Sequence, residues 1–172
     1  VHGSAKVLDP LDQPVPESPY GRSKLLGEEL AKFTAERTRV LIYRPTSVHG
    51  AGRAVTEKIS RLASSRFSSV AAPGTDPTPQ VMVGQVAKYV LRLVTSPPDN
   101  NDPVVHPWEG WTTSSFLEHM GDGRSPIRVP RSLARVALAT AKGLGRMHPR
   151  IGVNARRLEM LWFGQEQVVS NQ

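Results

Sequence analysis

The residues best placed to do chemistry are Tyr20 and Lys24, within the run Ser18-Pro19-Tyr20-Gly21-Arg22-Ser23-Lys24. A free tyrosine, with a pKa of about 10, is a poor base at neutral pH. A neighbouring ammonium favours the tyrosinate, and such a pair can move a proton to or from a substrate hydroxyl. A spacing of four puts both side chains on one face of a helix. On spacing alone the plainer reading is a solvated helix start, since any helix can carry this pair by chance. Other chemistries are excluded. The 172 residues include no cysteine, which removes disulfides, thiolate nucleophiles and Cys-based zinc sites. The histidines, His2, His49, His106, His119 and His148, form no i,i+4 pair and no H-E-x-x-H, so no metal site is expected. Asp9, Asp12 and Glu17 are dispersed through a proline-rich loop and read as solvated charges.

The elements that must position Tyr20 and Lys24 follow from the surrounding pattern. Pro10, Pro14, Pro16 and Pro19 forbid regular structure ahead of the pair, each lacking an N–H and fixing φ. Ser18-Pro19 reads as a helix start. Leu25, Leu26, Leu30 and Phe33 then carry helical spacing from Tyr20 to about Arg37. Val40-Leu41-Ile42-Tyr43 is a continuous apolar run, which predicts a strand buried on both faces in a parallel sheet. It ends at Arg44-Pro45, and Gly50-Ala51-Gly52 is a turn. Downstream the pattern predicts helices over 54–65, 84–95, 131–146 and 154–163, and short strands at Val70, 81–83, 104–105 and 127–129. Thr112-Thr113 caps a further helix bearing Phe116, Leu117 and Met120. Strands alternating with helices predict an α/β chain. Only the run 40–43 resembles the centre of a parallel sheet, and one such strand cannot make a doubly wound sheet, so the pattern suggests part of something larger.

The stretch Ser18-Pro19-Tyr20 … Ser23-Lys24, with Glu28 one turn on, then Arg44-Pro45 and Val48-His49-Gly50-Ala51-Gly52, resembles the extended short-chain dehydrogenase/reductase family. These are NAD(P)-dependent epimerases and dehydratases acting largely on nucleotide sugars. Members carry S-P-Y-x-x-S-K-x-x-x-E, then R-P, then a V-Y-G-P-G-like turn. The opening Val1-His2-Gly3 is similar to the family's V-Y-G just after the strand holding the catalytic Ser or Thr. The resemblance implies the C-terminal part of a Rossmann-like doubly wound sheet in residues 1–52 and a small mixed α/β, mostly helical, substrate-binding region in 53–172. It implies Tyr20 as catalytic acid/base, with Lys24 assisting and holding the cofactor ribose. Pro45, Thr46, Ser47 and Val48 would line the nicotinamide of NAD or NADP. Ser47 stands where many members have Asn to hold the nucleotide sugar, and His49 where they often have Tyr, which makes both candidate substrate contacts.

Departures from the family pattern set further expectations. No glycine-rich G-x-x-G-x-x-G turn is present to seat a pyrophosphate. Ser4 lies on the wrong side of Val1-His2-Gly3 to replace the catalytic Ser or Thr. Val83-Gly84-Gln85-Val86-Ala87 stands for V-D-D-V-A without its carboxylates, and Thr78-Pro79 falls where an Arg is common. The expectation is a C-terminal fragment with little activity of its own, whose full-length protein admits a homodimer.

Charge offers a second reading. The net charge is +7, and residues 124–157 hold nine Lys or Arg and no Asp or Glu. Arg131, Arg135, Lys142 and Arg146 line the helix 131–146. A catalytically inactive relative could bind an anionic partner through this region, although a solvated basic face is the plainer reading. Nucleic acid is disfavoured because no aromatic residue is interleaved with the basic ones. No apolar run can span a bilayer and no signal-peptide pattern opens the chain, so a cytoplasmic protein is expected. Trp108 and Trp111, flanking Glu109-Gly110, read as anchors of a loop to the core.

Overall fold

The computed structural model describes residues 7–8, 15–16, 18–35, 37–145 and 149–167. The Val1-His2-Gly3 opening, Ser4, Asp9, Asp12, Glu17, Arg146 and His148 lie outside these. Within them the chain is α/β, with six helices and eight short strands. The order is β1 (Val7–Leu8), α1 (Pro19–Thr34), β2 (Tyr43–Arg44), β3 (Ser47–His49), α2 (Ala54–Ala63), β4 (Ser69–Ala71) and β5 (Gln80–Met82). There follow α3 (Val83–Thr95), β6 (Val104–Val105), α4 (Thr113–Met120), β7 (Ile127–Val129), α5 (Arg131–Gly145), α6 (Pro149–Phe163) and β8 (Glu166–Gln167).

The strands form four separate two-stranded parallel ladders: β1–β8, β2–β6, β3–β5 and β4–β7. A doubly wound sheet is therefore not formed by the described residues. The strand expected at 40–43 joins its ladder only at Tyr43–Arg44, opposite Val104–Val105. Pro45 has no N–H to continue the ladder, and Ile42 contributes a carbonyl that accepts from the Val104 N–H at 2.8 Å. Both β2–β6 and β3–β5 cross residue 52, interleaving the two expected regions.

Helix starts follow their local chemistry. The Ser18 hydroxyl accepts from the Gly21 N–H at 3.0 Å, with Pro19 at the first helical position. Thr112 caps α4 in a reciprocal box with Ser115: each side chain accepts from the other's backbone N–H, at 3.1 and 2.9 Å. Helix α4 supplies Phe116, Leu117 and Met120 to the core, with Ala63 from α2 and Val70 from β4. Its C-terminus meets α2 closely: the Ser60 hydroxyl donates to the Met120 carbonyl at 2.9 Å, and a Cβ on Gly121 would stand 2.8 Å from the Ala63 carbonyl oxygen. Helix α5 packs on α6 and is tied to the 72–78 loop by a bidentate pair, Arg131 to Asp76 at 2.9 and 3.0 Å.

Candidate functional site

Tyr20, Lys24 and Glu28 recur every four residues of α1, so they fall along one line of the helix. Tyr20 is 73% exposed, and Lys24 is also exposed. Glu28 is not: its carboxylate accepts from Arg44 Nη2 at 2.7 Å and Nε at 3.1 Å, with the two side chains 16% and 12% exposed. This fork-to-fork pair fixes α1 against the end of β2, since Gly21 is the one residue of the helix that is fully buried. Leu26, Leu30 and Phe33 point away from the body and are 59 to 86% exposed. The pair thus ties Glu28, which shares the line of Tyr20 and Lys24, to the carboxyl end of β2. The segment leaving that strand is Pro45, exposed, and Thr46, Ser47 and Val48, all half-buried. No side-chain hydrogen bond joins Tyr20 or Lys24 to residues 45–49 among the described residues.

Ser47 and His49 are alternate residues of β3 and share a face. His49 Nε2 lies 3.1 Å from Ser47 Oγ and 2.7 Å from Gln80 Oε1, and the Gln80 amide donates to Thr78 Oγ1 at 3.0 Å. On the other side His49 Nδ1 lies 3.5 Å from Thr56 Oγ1, which accepts from the Gly50 N–H at 3.0 Å. His49 is fully buried, with the Phe116 ring 5.0 Å away. His49, expected as a substrate contact, is thus enclosed by protein, while Ser47 is half-buried. Burial holds the His49 imidazole below the usual histidine range, helped by Arg53 and opposed by the Gln80 hydrogen bond. Thr56 also lines an open groove with Gly50, Ala51, Gly52, Ser60 and Arg61.

A second polar array lies on the opposite face of β2 from Arg44. The Tyr43 hydroxyl lies 2.7 Å from His106 Nδ1, and His106 Nε2 lies 2.7 Å from Glu109 Oε1. The Tyr89 ring packs on both aromatic groups at 5.7 and 5.0 Å. Burial, with Tyr89 and Glu109 nearby, pushes the Tyr43 phenol up to about 12. Tyr43 therefore stays protonated at neutral pH. The sequence reading missed this array: His106 and Glu109 sit at i,i+3, a visible signal, but Tyr43 is 63 residues away. Trp111 packs on Phe116 at 6.1 Å and its carbonyl accepts from Trp108 Nε1 at 2.9 Å, which anchors the loop.

The basic region is partly neutralised by its own contacts. Arg131 is held by Asp76, Lys142 by Glu159 at 2.7 Å, and Arg124 donates to the Ser64 carbonyl. Among the described residues no group of three or more His, Asp or Glu could hold a metal ion, and no helix is long and apolar enough to cross a membrane. No family model, curated protein or solved structure matches the chain.

Proposed function

We propose that the chain is part of an NAD(P)-dependent epimerase, dehydratase or reductase of the extended short-chain dehydrogenase type, acting on a nucleotide sugar. Tyr20 is its acid/base and Lys24 its assisting cation. The observation that supports this best is the docking of α1: Glu28, in line with Tyr20 and Lys24, is clamped by Arg44 at the end of β2, immediately before Pro45–Val48. Ligands of α/β folds bind beyond the carboxyl ends of parallel strands, and Glu28, in line with Tyr20 and Lys24, is held at the carboxyl end of β2. NAD or NADP, when bound, supplies the hydride chemistry. Tyr20 exchanges a proton with the sugar hydroxyl, Lys24 holds the ribose, and Thr46–Val48 form the wall against which the reacting carbon is oriented. The 172 residues contain no glycine-rich turn for the pyrophosphate, so turnover belongs to a protein in which such a turn is also supplied. The test is conversion of UDP-glucose and related nucleotide sugars by the protein from its own source with NAD(P): a net change in nicotinamide absorbance for a reductase, or a new sugar product with the nicotinamide returned to its starting state for an epimerase or dehydratase. Either outcome supports the reading, and no sugar product with any pairing refutes it.

A further inference from the structure

The loops that leave α2 and α4 run side by side into the paired strands β4 and β7. The Arg124 guanidinium donates to the Ser64 carbonyl at 2.9 Å, and the Ile127 N–H donates to the Ser68 carbonyl at 2.8 Å. The close approach of Gly121 to Ala63 holds the two loop starts together. Residues 61–70 therefore lie against residues 121–130. The two segments carry Arg61, Arg66, Arg124 and Arg128 and one acidic residue, Asp122. Arg61 reaches Glu57 at 3.6 Å, with both side chains exposed. Among the described residues no carboxylate pairs with Arg66, Arg124 or Arg128, and all three are exposed. Two apolar side chains stand among these cations: Phe67 is 68% exposed and Ile127 59%. The Arg66 guanidinium lies over the Phe67 ring, 4.9 Å from its centre, which couples the ring to a charge.

Exposed apolar groups gain by leaving water, and arginine forks match phosphate oxygens. An anionic bilayer offers both at once: headgroup phosphates for the guanidinium groups and an acyl boundary for the apolar side chains. Single-stranded nucleic acid also presents phosphates, but it is held by aromatic faces on which successive bases stack. Phe67 is the only aromatic residue in the two segments, one of its faces is covered by Arg66, and Ile127 adds no stacking face. We propose that the patch of Arg61, Arg66, Phe67, Arg124, Ile127 and Arg128 docks the protein on an anionic membrane surface. Phe67 and Ile127 enter the interfacial layer, and the arginines hold lipid phosphates. The patch is not the basic run of the sequence. Further along that run Arg131 and Lys142 are taken up by Asp76 and Glu159, while half of the arginines used here come from the end of α2 and its loop. The proposal does not depend on the chemistry of Tyr20.

The experiment is co-sedimentation of the full chain with vesicles of three parts phosphatidylcholine to one part phosphatidylserine, at low and at moderate salt, beside vesicles of phosphatidylcholine alone. The expected result is binding to the anionic vesicles that weakens as salt is added, with little binding to the neutral ones. Each cation at such a surface contributes about fivefold in affinity, so the double variant Arg66→Gln/Arg128→Gln should bind about 20- to 30-fold more weakly. Phe67→Ser should weaken binding at least about tenfold, because the ring no longer leaves water. Arg92→Gln, which removes an exposed cation from α3, should bind as wild type does. All of these side chains are exposed, and an unchanged thermal midpoint shows that each variant keeps its fold. Should Phe67→Ser lower that midpoint, Ile127→Ser takes its place with the same expectation. The proposal is overturned by anionic vesicles that retain no protein, by equal binding to neutral vesicles, or by wild-type binding in the double or the apolar variant. It is also overturned by a loss in Arg92→Gln as large as in the double variant, or by single-stranded oligothymidylate bound through these residues more tightly than the vesicles.

Discussion

Neutralising Glu28 tests what holds α1, and with it Tyr20, in place. In Glu28→Gln the Arg44 guanidinium keeps its charge in a site where it is 12% exposed and where its Nη1 already has no partner. Removing one member of a buried pair costs about 3–5 kcal/mol. Here both side chains keep a little contact with water, and the glutamine oxygen can still accept one of the two hydrogen bonds. We therefore expect a cost just below that scale, about 2–3 kcal/mol. For a chain of this length that corresponds to a Tm lowered by about 4–12 °C. Helix α1 has little else to fall back on, since Leu26, Leu30 and Phe33 are mostly exposed. Its amides should accordingly lose hydrogen-exchange protection before those of α4. The double variant Glu28→Leu/Arg44→Met removes both charges and their desolvation, and should return to within about 1 kcal/mol of wild type. Urea unfolding of wild type, the single variants Glu28→Leu and Arg44→Met, and their double variant gives the coupling energy directly. A Glu28→Gln loss under about 0.5 kcal/mol, the level of an exposed pair, would refute the claim that this contact docks the helix.

Other outcomes follow from the same contacts. His49 is held neutral by burial, so its folded-state pKa lies below the unfolded value; the stability this contributes is present above about pH 6.5 and is lost as pH falls below it. Urea midpoints measured between neutral and mildly acidic pH should fall more in wild type than in His49→Gln. In a spectrophotometric titration Tyr43 should ionise near 12, and Glu109→Gln should bring it down. Gly121→Ala places a methyl 2.8 Å from the Ala63 carbonyl oxygen and should cost about 1–3 kcal/mol in denaturant unfolding. Phe116→Ala, at the centre of the core and against His49, should cost about 3–5 kcal/mol by the same assay.

What could be read from the sequence was local. Ser18-Pro19 and Thr112 announce α1 and α4 because a capping hydroxyl acts within three residues of itself. The amphipathic spacing of α3 and α5 gave both helices to within a residue. Helix α6 begins at Pro149, five residues before the expected start, although proline at a first helical position was the available signal. Strand β3 escaped because Ser47-Val48-His49 has no apolar run; it exists through its pairing with Gln80–Met82, more than thirty residues on. The same distance in sequence hid the polar frames. His49 looks like a loop histidine until Gln80 and Phe116 close over it, and His106 looks solitary until Tyr43 arrives through the β2–β6 ladder. The basic run 124–157 was legible as charge, but its pairing with Asp76 and Glu159 depends on tertiary contacts.

The central claim is that Tyr20 is the acid/base of a hydride-transfer enzyme. The most direct measurement is NAD(P)-linked turnover of a nucleotide sugar by the native protein, comparing wild type with Tyr20→Phe. Because Tyr20 is 73% exposed and its hydroxyl has no hydrogen-bond partner among the described residues, the variant should unfold at the wild-type temperature. The account predicts a kcat lower by about 100- to 10,000-fold, the usual worth of a positioned proton-transfer group. Turnover within a factor of two of wild type would contradict it.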